Sequence, residues 1–158
     1  MSVISEKAMH FLEKQGVVVV STLDEFGKIH CSVKGIVGLE KEGKVFVIDL
    51  YHHRTFQNLQ KNPTVSITAI DEHAFAGYTL QGKAKIVPRE EIQGHIIEKW
   101  EKRIVRRISN RLIKSLQAGV LTERHHEAHL PTVPKYLIEV DVEKVIDLTP
   151  PVRKSPDN

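Results

Sequence analysis

The sequence predicts a mainly β protein, an antiparallel barrel of six strands with one helix before it and a long helical segment ahead of the last strand. Three observations predict this class. Six short stretches are rich in β-branched residues or alternate between apolar and polar side chains. Turn-forming residues separate most of these stretches, and few helices of crossover length connect them, which favours antiparallel pairing. The length of 158 residues suits one domain over 1–148, followed by a flexible, Pro-rich C-terminal tail over 149–158.

The first predicted elements are a helix and two strands. Residues 4–15 are expected to form an amphipathic helix that Ser5 caps and Gly16 ends. Its apolar face consists of Ile4, Ala8, Phe11 and Leu12. Residues 17–23, "VVVVSTL", are nearly all apolar, so we expect a strand that is buried on both faces. Residues 29–37 alternate strictly, with Ile29, Cys31 and Val33 on one face and His30, Ser32 and Lys34 on the other.

Composition and charge exclude several classes of protein. The hydrophobic share of 41% and the charged share of 27% are ordinary for a globular protein, and the formal net charge of +3 does not by itself predict binding to nucleic acid. No apolar run approaches the roughly 20 residues that span a bilayer, and no signal-peptide pattern is found, so no membrane association is expected. The single cysteine, Cys31, excludes an intrachain disulfide and favours a cytoplasmic location. Because Cys31 shares its face of the strand with apolar neighbours, we expect a buried thiol.

Four further strands and a long helix complete the predicted fold. The strands are 44–50, 64–70, 78–87 and 135–148. The helical stretch begins at Pro88, which suits a first helical turn, and extends to about residue 118. Its apolar stripe recurs every four residues and consists of Ile92, Ile96, Trp100, Ile104, Ile108 and Leu112. Its opposite face is basic and carries Lys102, Arg103, Arg106, Arg107, Arg111 and Lys114. We interpret this face as solvated, the alternative being a surface that binds nucleic acid or an acidic partner.

The segment 123–131, "ERHHEAHLP", is rich in histidine. His125 and His129 have the spacing of two ligands on one helix face, but the segment is one residue short of the H-E-x-x-H pattern. Pro131 also lies too close for a helix long enough to present both side chains. We therefore predict no metal site here, and no other cluster of Cys or His has the spacing of a structural zinc site.

The connector after the third strand contains a candidate anion site. It reads "YHHRTFQNLQKNPTVSI", residues 51–67, and the leading end of its short helix carries His52, His53, Arg54 and Thr55. The N–H groups and the positive dipole at a helix start attract an anion, and an arginine with a hydroxyl completes such a site. The alternative is a solvated connector. If Ser32 and Lys34 line a groove that this helix start closes, the groove suits a flat ring that carries a phosphate tail.

The order of these segments resembles the pyridoxamine 5′-phosphate oxidase-like family of flavin-binding split barrels. The resemblance covers residues 5–87 and 135–148, and its most specific part is the pattern basic-Thr-x-x-Asn-Leu-x-x-Asn-Pro from Arg54 to Pro63, followed at once by a strand. It implies a six-stranded antiparallel split β-barrel that holds FMN at the interface of a homodimer. The cofactor-binding positions that it implies are Ser32, Val33 and Lys34 along the ring, the backbone of Ile48 and Asp49, and His53, Arg54 and Thr55 at the phosphate.

The resemblance also implies a function, that of an FMN-dependent oxidoreductase or flavin carrier with a small-molecule redox substrate or electron donor. No residue stands out as a general acid or base, so no catalytic residue is predicted. Relatives that oxidise pyridoxamine phosphate carry an Arg-containing motif near an aromatic residue at the C-terminus, whereas this chain ends in "VIDLTPPVRKSPDN" without a tryptophan, so that substrate is not predicted. Two alternatives stay open: the barrel binds another planar cofactor, a deazaflavin or haem with ligands from 125–129, or it is a non-enzymatic dimeric module that acts through its basic helix, residues 99–114.

Overall fold

Six antiparallel strands form a closed barrel in the computed structural model, which describes residues 4–49, 53–117 and 134–151. The strands are β1 (Val18–Leu23), β2 (Ile29–Leu39), β3 (Lys44–Asp49), β4 (Thr64–Asp71), β5 (Ala76–Pro88) and β6 (Tyr136–Asp147). Their order around the barrel is β1-β2-β3-β6-β5-β4, and β4 closes the barrel by pairing with β1. The predicted class is confirmed, and each predicted strand is present with its ends shifted by a few residues.

The described residues also form three α-helices, α1 (Glu6–Lys14), α2 (Arg54–Lys61) and α3 (Gly94–Gln117). The start of α1 is as predicted, because the Ser5 side chain accepts a hydrogen bond from the Ala8 N–H at 3.2 Å. The predicted start of the long helix at Pro88 is wrong. The strand β5 pairs with β6 along its length as far as Pro88 and Tyr136, so pairing continues where a helix was expected. A short 3-10 helix, Arg89–Glu91, then leads towards α3.

The interior of the barrel is the main hydrophobic core. Alternate residues of each strand point inward, as the period of two in a strand requires. The inward side chains include Val20, Val45, Val47, Ile67, Leu80, Ile138 and Val140. The helix α1 adds Ala8 and Leu12, and Ile4 lies just before the helix; all three are fully buried in the same core. The helix α2 contributes the buried Leu59, so both helices are held by their apolar faces.

The outer face of β1 and β2 differs from the prediction. β1 is buried on one face only: its inward residues are Val18, Val20 and Thr22, and its partly exposed outer residues are Val19, Ser21 and Leu23. Cys31 of β2 is exposed, so the predicted buried thiol is wrong. Its Sγ lies 3.3 Å from Ser21 Oγ on the neighbouring strand. Both errors have one reason, which is that a strand of an antiparallel barrel buries one face and needs a covering element to bury the other.

A second hydrophobic cluster lies outside the barrel, beneath α3. Its buried members are Val37, Ile48, Ile92, Ile96, Trp100 and Leu137. The first part of the predicted apolar stripe of α3 is thus confirmed. Trp100 comes so close to the backbone of Gly35 that a Cβ added there would lie 3.3 Å from Trp100 Cζ3. The helix α3 therefore covers the second half of β2, whereas Ile29 and Val33 in the first half are exposed.

Some predictions concern residues that the structure does not describe. The histidine-rich segment 123–131, residues 152–158 of the expected tail and the side chains of Ile108 and Leu112 lie outside the described residues. Within the described ranges, no three His, Cys, Asp or Glu side chains are grouped so that they could hold a metal ion. None of the helices in those ranges is both long and apolar enough to cross a membrane.

Candidate functional site

A groove lies between the inward face of β2 and the first turn of α2. Its volume is about 500 Å³, which falls within the range of about 300–1,000 Å³ that is typical of small-molecule sites. We call it the β2–α2 groove, and it is lined by His30, Ser32, Lys34, His53, Arg54, Thr55 and Gln57. Most of the residues that were predicted to bind a cofactor therefore line one cavity, although they come from two separate segments of the chain.

The sequence around Asn62 explains where α2 ends. Pro63 disfavours a helical conformation for the residue before it, and Asn62 is accordingly extended, with φ −140° and ψ 114°. The Asn62 side chain then accepts a hydrogen bond from the Thr64 N–H at 3.0 Å, which turns the chain into β4. The Asn-Pro pair in the sequence thus sets the length of α2.

Two contacts fix α2 against the barrel. Asn58 is buried, and its Nδ2 donates a hydrogen bond to Thr22 Oγ1 of β1 at 3.0 Å. Phe56 packs edge-to-face against Tyr136 of β6, with ring centroids 4.9 Å apart. Because β1 and β6 lie on opposite sides of the closed barrel, the two contacts together fix both the position of the helix and the direction of its first turn.

The first turn of α2 is suited to an anion. It contains no acidic residue, and the side chain of the N-cap residue His53 makes no capping hydrogen bond, so neither offsets the positive end of the helix dipole. Arg54 is exposed at this turn, and its side chain has no hydrogen bond or ion pair with the part of the chain that the structure describes. Thr55 is buried, and its Oγ1 lies 2.8 Å from Ser32 Oγ. A guanidinium, two hydroxyls and a helix start together form a suitable phosphate site.

Lys34, on the groove wall, belongs to a buried ion pair. Its Nζ donates a hydrogen bond to Asp49 Oδ1 at 2.8 Å, and the Asp49 side chain is only 1% exposed. The Tyr136 hydroxyl donates a hydrogen bond to the other carboxylate oxygen, Oδ2. Burial, followed by this hydrogen bond and the negative charge of Asp49, raises the pKa of Tyr136 above its ordinary range, so the hydroxyl stays protonated. The prediction had assigned only a backbone role to Asp49, whereas the structure gives its side chain two partners.

Two of the predicted residues point away from the groove. The Val33 side chain is 66% exposed on the outer face of β2, and Ile48 is buried beneath α3 in the second hydrophobic cluster. Side chains alternate along a strand, so each of them is the neighbour of an inward residue and faces the other way. Any contact of Val33 or Ile48 with a molecule in the groove would therefore involve backbone atoms.

Three residues of the site escaped the sequence reasoning. His30 lines the groove and lies on the same face of β2 as Ser32, so the alternation of side chains along the strand could have predicted it as a site residue. Gln57 lines the groove one helical turn after Arg54, which is a spacing that the sequence also contains. Tyr136 lies 87 positions from Asp49 in the sequence, and no local pattern connects two such distant residues.

The fold and the groove together define a class of protein, a six-stranded antiparallel barrel with a small-molecule groove beside a basic helix start. The chain belongs to the pyridoxamine 5′-phosphate oxidase family, because residues 4–147 match the profile of that description. A search among curated proteins found no match.

Several solved structures are similar to this chain. HupZ from Group A Streptococcus is 18% identical, with 92% of this chain and 94% of that chain covered and a TM-score of 0.62. General Stress Protein 26 from Bacillus anthracis is 16% identical, with 92% and 93% covered and a TM-score of 0.57. A protein named F420 reductase is 15% identical, with 90% and 98% covered and a TM-score of 0.56. At such low identity these likenesses show the fold alone.

Proposed function

We propose that the protein binds FMN in the β2–α2 groove and acts as an FMN-dependent oxidoreductase or flavin carrier. The observation that carries this proposal is the arrangement at the start of α2. There the exposed Arg54, the hydroxyl pair of Ser32 and Thr55, and a helix N-terminus without a capping side chain meet in one groove. The phosphate of FMN is the anion that such an arrangement fits, and membership of the pyridoxamine 5′-phosphate oxidase family supports a flavin.

The groove residues would bind and orient the cofactor. FMN, when bound, supplies the electron or hydride transfer itself. The planar guanidinium of Arg54 can bind two phosphate oxygens at once, which fixes the direction of the phosphate as well as its position. The hydroxyls of Ser32 and Thr55 hydrogen-bond to each other at 2.8 Å, and the one that accepts in this pair keeps its own hydrogen to donate to a phosphate. Because the pair is already ordered, this contact costs little side-chain entropy. Lys34 adds a cation to the same wall.

The test compares FMN and riboflavin binding to the wild type and to Arg54→Ala. Loss of a charge-assisted contact costs roughly 1.5–3 kcal/mol, so the FMN affinity should fall by about one to two orders of magnitude. Riboflavin lacks the phosphate and should bind both proteins equally weakly. The chain has a single tryptophan, Trp100, which packs on Gly35 beside the groove residue Lys34, so its fluorescence provides a binding signal alongside calorimetry.

Lys61→Ala is the matched control, because it removes one positive charge from the other end of the same helix. Among the described residues, the Lys61 side chain pairs with Glu25 alone, in an exposed ion pair at 3.3 Å, and such pairs contribute little to stability. We expect Lys61→Ala to bind FMN as tightly as the wild type does. Thr55→Val should lose less affinity than Arg54→Ala, because the threonine hydroxyl that it removes is neutral. Equal FMN affinity of wild type and Arg54→Ala, or an equal loss in both arginine and lysine variants, would show that the phosphate does not bind at this turn.

A deazaflavin is the second candidate cofactor, because one of the similar structures is named F420 reductase. The visible spectrum of the purified protein, followed by parallel titrations with FMN, F420 and haem, distinguishes the candidates. FMN should bind most tightly. If F420 or haem binds more tightly than FMN, that molecule is the cofactor. If the protein binds none of the three, a non-enzymatic function is favoured.

We also propose that the protein is a homodimer that associates through the outer face of β2, β1 and β4. These three strands are neighbours in the barrel. The outward residues of this face are Ile29, Cys31 and Val33 of β2, Val19, Ser21 and Leu23 of β1, and Ser66, Thr68 and Ile70 of β4. None of these nine side chains is charged, although 27% of the chain is charged. An uncharged face with Ile29 and Val33 exposed is typical of a protein–protein interface, and a second copy of the chain offers the same surface.

A further inference from the structure

We infer that Asp49 and Tyr136 are positioning residues that hold the Lys34 ammonium at the wall of the β2–α2 groove, and that this trio sets the relative affinity of the site for reduced and oxidised cofactor. The inference rests on the proposed binding of FMN. It concerns electrostatic control by residues behind the groove and is independent of how the phosphate is bound.

The three side chains form one inward-facing row at the same level of the barrel. Lys34 is on β2, Asp49 on β3 and Tyr136 on β6, which are adjacent strands in the barrel order. Asp49 and Tyr136 are direct partners in the β3–β6 ladder. The sheet therefore fixes the carboxylate between a donor on each side, Lys34 Nζ at Oδ1 and the Tyr136 hydroxyl at Oδ2.

The two charged residues of this row differ in their access to the groove. The Lys34 side chain lines the groove and is 14% exposed, whereas the Asp49 side chain is 1% exposed and is not part of the lining. A molecule in the groove would thus face the cation, with the compensating negative charge buried behind it. Tyr136 also contacts Phe56 of α2, so the donor that holds the carboxylate is itself held by the helix at the groove.

This asymmetry has a consequence for a redox cofactor. Reduction adds electrons to the cofactor, so a cation at the groove wall stabilises the reduced state relative to the oxidised state. A unit charge that acts across about 10 Å at an effective dielectric constant of about 20 changes such an equilibrium on the order of tenfold. For a two-electron couple, a tenfold change corresponds to a midpoint potential shift of about 30 mV.

The test measures the midpoint potential of bound FMN in four variants and their oxidised-state FMN affinity. Lys34→Met leaves the Asp49 carboxylate without its cation and should lower the potential, whereas Asp49→Asn leaves the ammonium without its anion and should raise it. The double variant Lys34→Met/Asp49→Asn should have a potential below the wild type but above Lys34→Met. Tyr136→Phe should lower the potential by less than Lys34→Met, because the carboxylate loses a donor and its negative field strengthens.

Lys44→Met is the control. Lys44 forms an ion pair with Glu139 at 2.6 Å across β3 and β6, the strands that also carry Asp49 and Tyr136, but Lys44 does not line the groove. Its potential should equal that of the wild type. Shifts of opposite sign for the two single variants would support the inference, since a purely structural role cannot produce them. Identical potentials in the wild type, the double variant and Tyr136→Phe would overturn it, even if a single variant fails to fold. A wild-type protein that binds no FMN would instead refute the proposed function.

Discussion

Replacement of Thr22 by valine should destabilise the barrel and weaken the attachment of α2. Thr22 is 2% exposed, and its Oγ1 accepts the hydrogen bond from Asn58 Nδ2 at 3.0 Å. Valine has nearly the same shape but no acceptor, so the buried Asn58 amide would lose this partner. An unsatisfied buried donor costs about 1–3 kcal/mol. At about 2–4 °C per kcal/mol for a domain of this size, the melting temperature should fall by roughly 2–12 °C.

The assay for this prediction is urea unfolding, with Thr64→Val as the matched control. Thr64 Oγ1 accepts a hydrogen bond from Lys83 Nζ at 3.0 Å, but the exposed lysine can bind water instead, so its loss should change stability by under about 0.5 kcal/mol. Since Asn58 lies one turn after Arg54 on α2, Thr22→Val should also weaken FMN binding, and Thr64→Val should not. Equal stability of Thr22→Val and Thr64→Val would refute the view that this hydrogen bond anchors α2.

The remaining predictions concern the barrel itself. Gly82→Ala should destabilise the protein by about 1–3 kcal/mol, because an added Cβ would lie 2.0 Å from the Asp141 carbonyl oxygen. Gly94→Ala is the control and should not destabilise it, because no atom lies within 4 Å of the added Cβ. Similar unfolding curves for the two variants would contradict this. Because the pKa of Tyr136 is raised in the folded protein, the protonated hydroxyl stabilises the fold. This stabilisation is complete below the ordinary tyrosine pKa of about 10 and is lost at higher pH, by up to about 1.4 kcal/mol per pH unit. Tyr136→Phe should lack that part of the alkaline decline, and parallel declines of wild type and variant would contradict the assignment. In sedimentation the wild type should have twice the chain mass of 18.0 kDa, and Val33→Glu should have the mass of one chain; a monomeric wild type would refute the proposed interface.

Much of the fold could be predicted from local patterns, because a period of two and a helix start are properties of neighbouring residues. The segment 51–67 predicted a short helix with a basic leading end before an Asn-Pro break, and α2 (Arg54–Lys61) lies there. The long-range part could not be predicted in this way. The hydrogen bond between Asp49 and Tyr136 depends on the pairing of β3 with β6, which no short stretch of sequence specifies.

The strand β2 shows why alternation alone was insufficient. Alternation predicts that a strand has two different faces, and apolar residues are ordinarily assumed to be the inward ones. Here the assumption is reversed: the first half of β2 points Ser32 and Lys34 inward and Ile29, Cys31 and Val33 outward. The inward polar residues are tolerated because they line a groove and have partners there, Thr55 and Asp49. The error about Cys31 follows directly from this reversal.

The reversal also suggests how assembly and cofactor binding depend on each other. Consecutive residues such as Ser32 and Val33 belong to opposite faces of one strand, one at the proposed cofactor site and the other at the proposed dimer interface. A strand cannot move one face without moving the other, so order imposed by the partner chain would also order the groove. Linkage then requires the effect to be reciprocal, so each FMN that binds should strengthen the dimer by the factor by which dimerisation strengthens the binding of that FMN. On this reasoning Val33→Glu should weaken FMN binding without touching the groove, and its FMN affinity should recover at protein concentrations that restore the dimer.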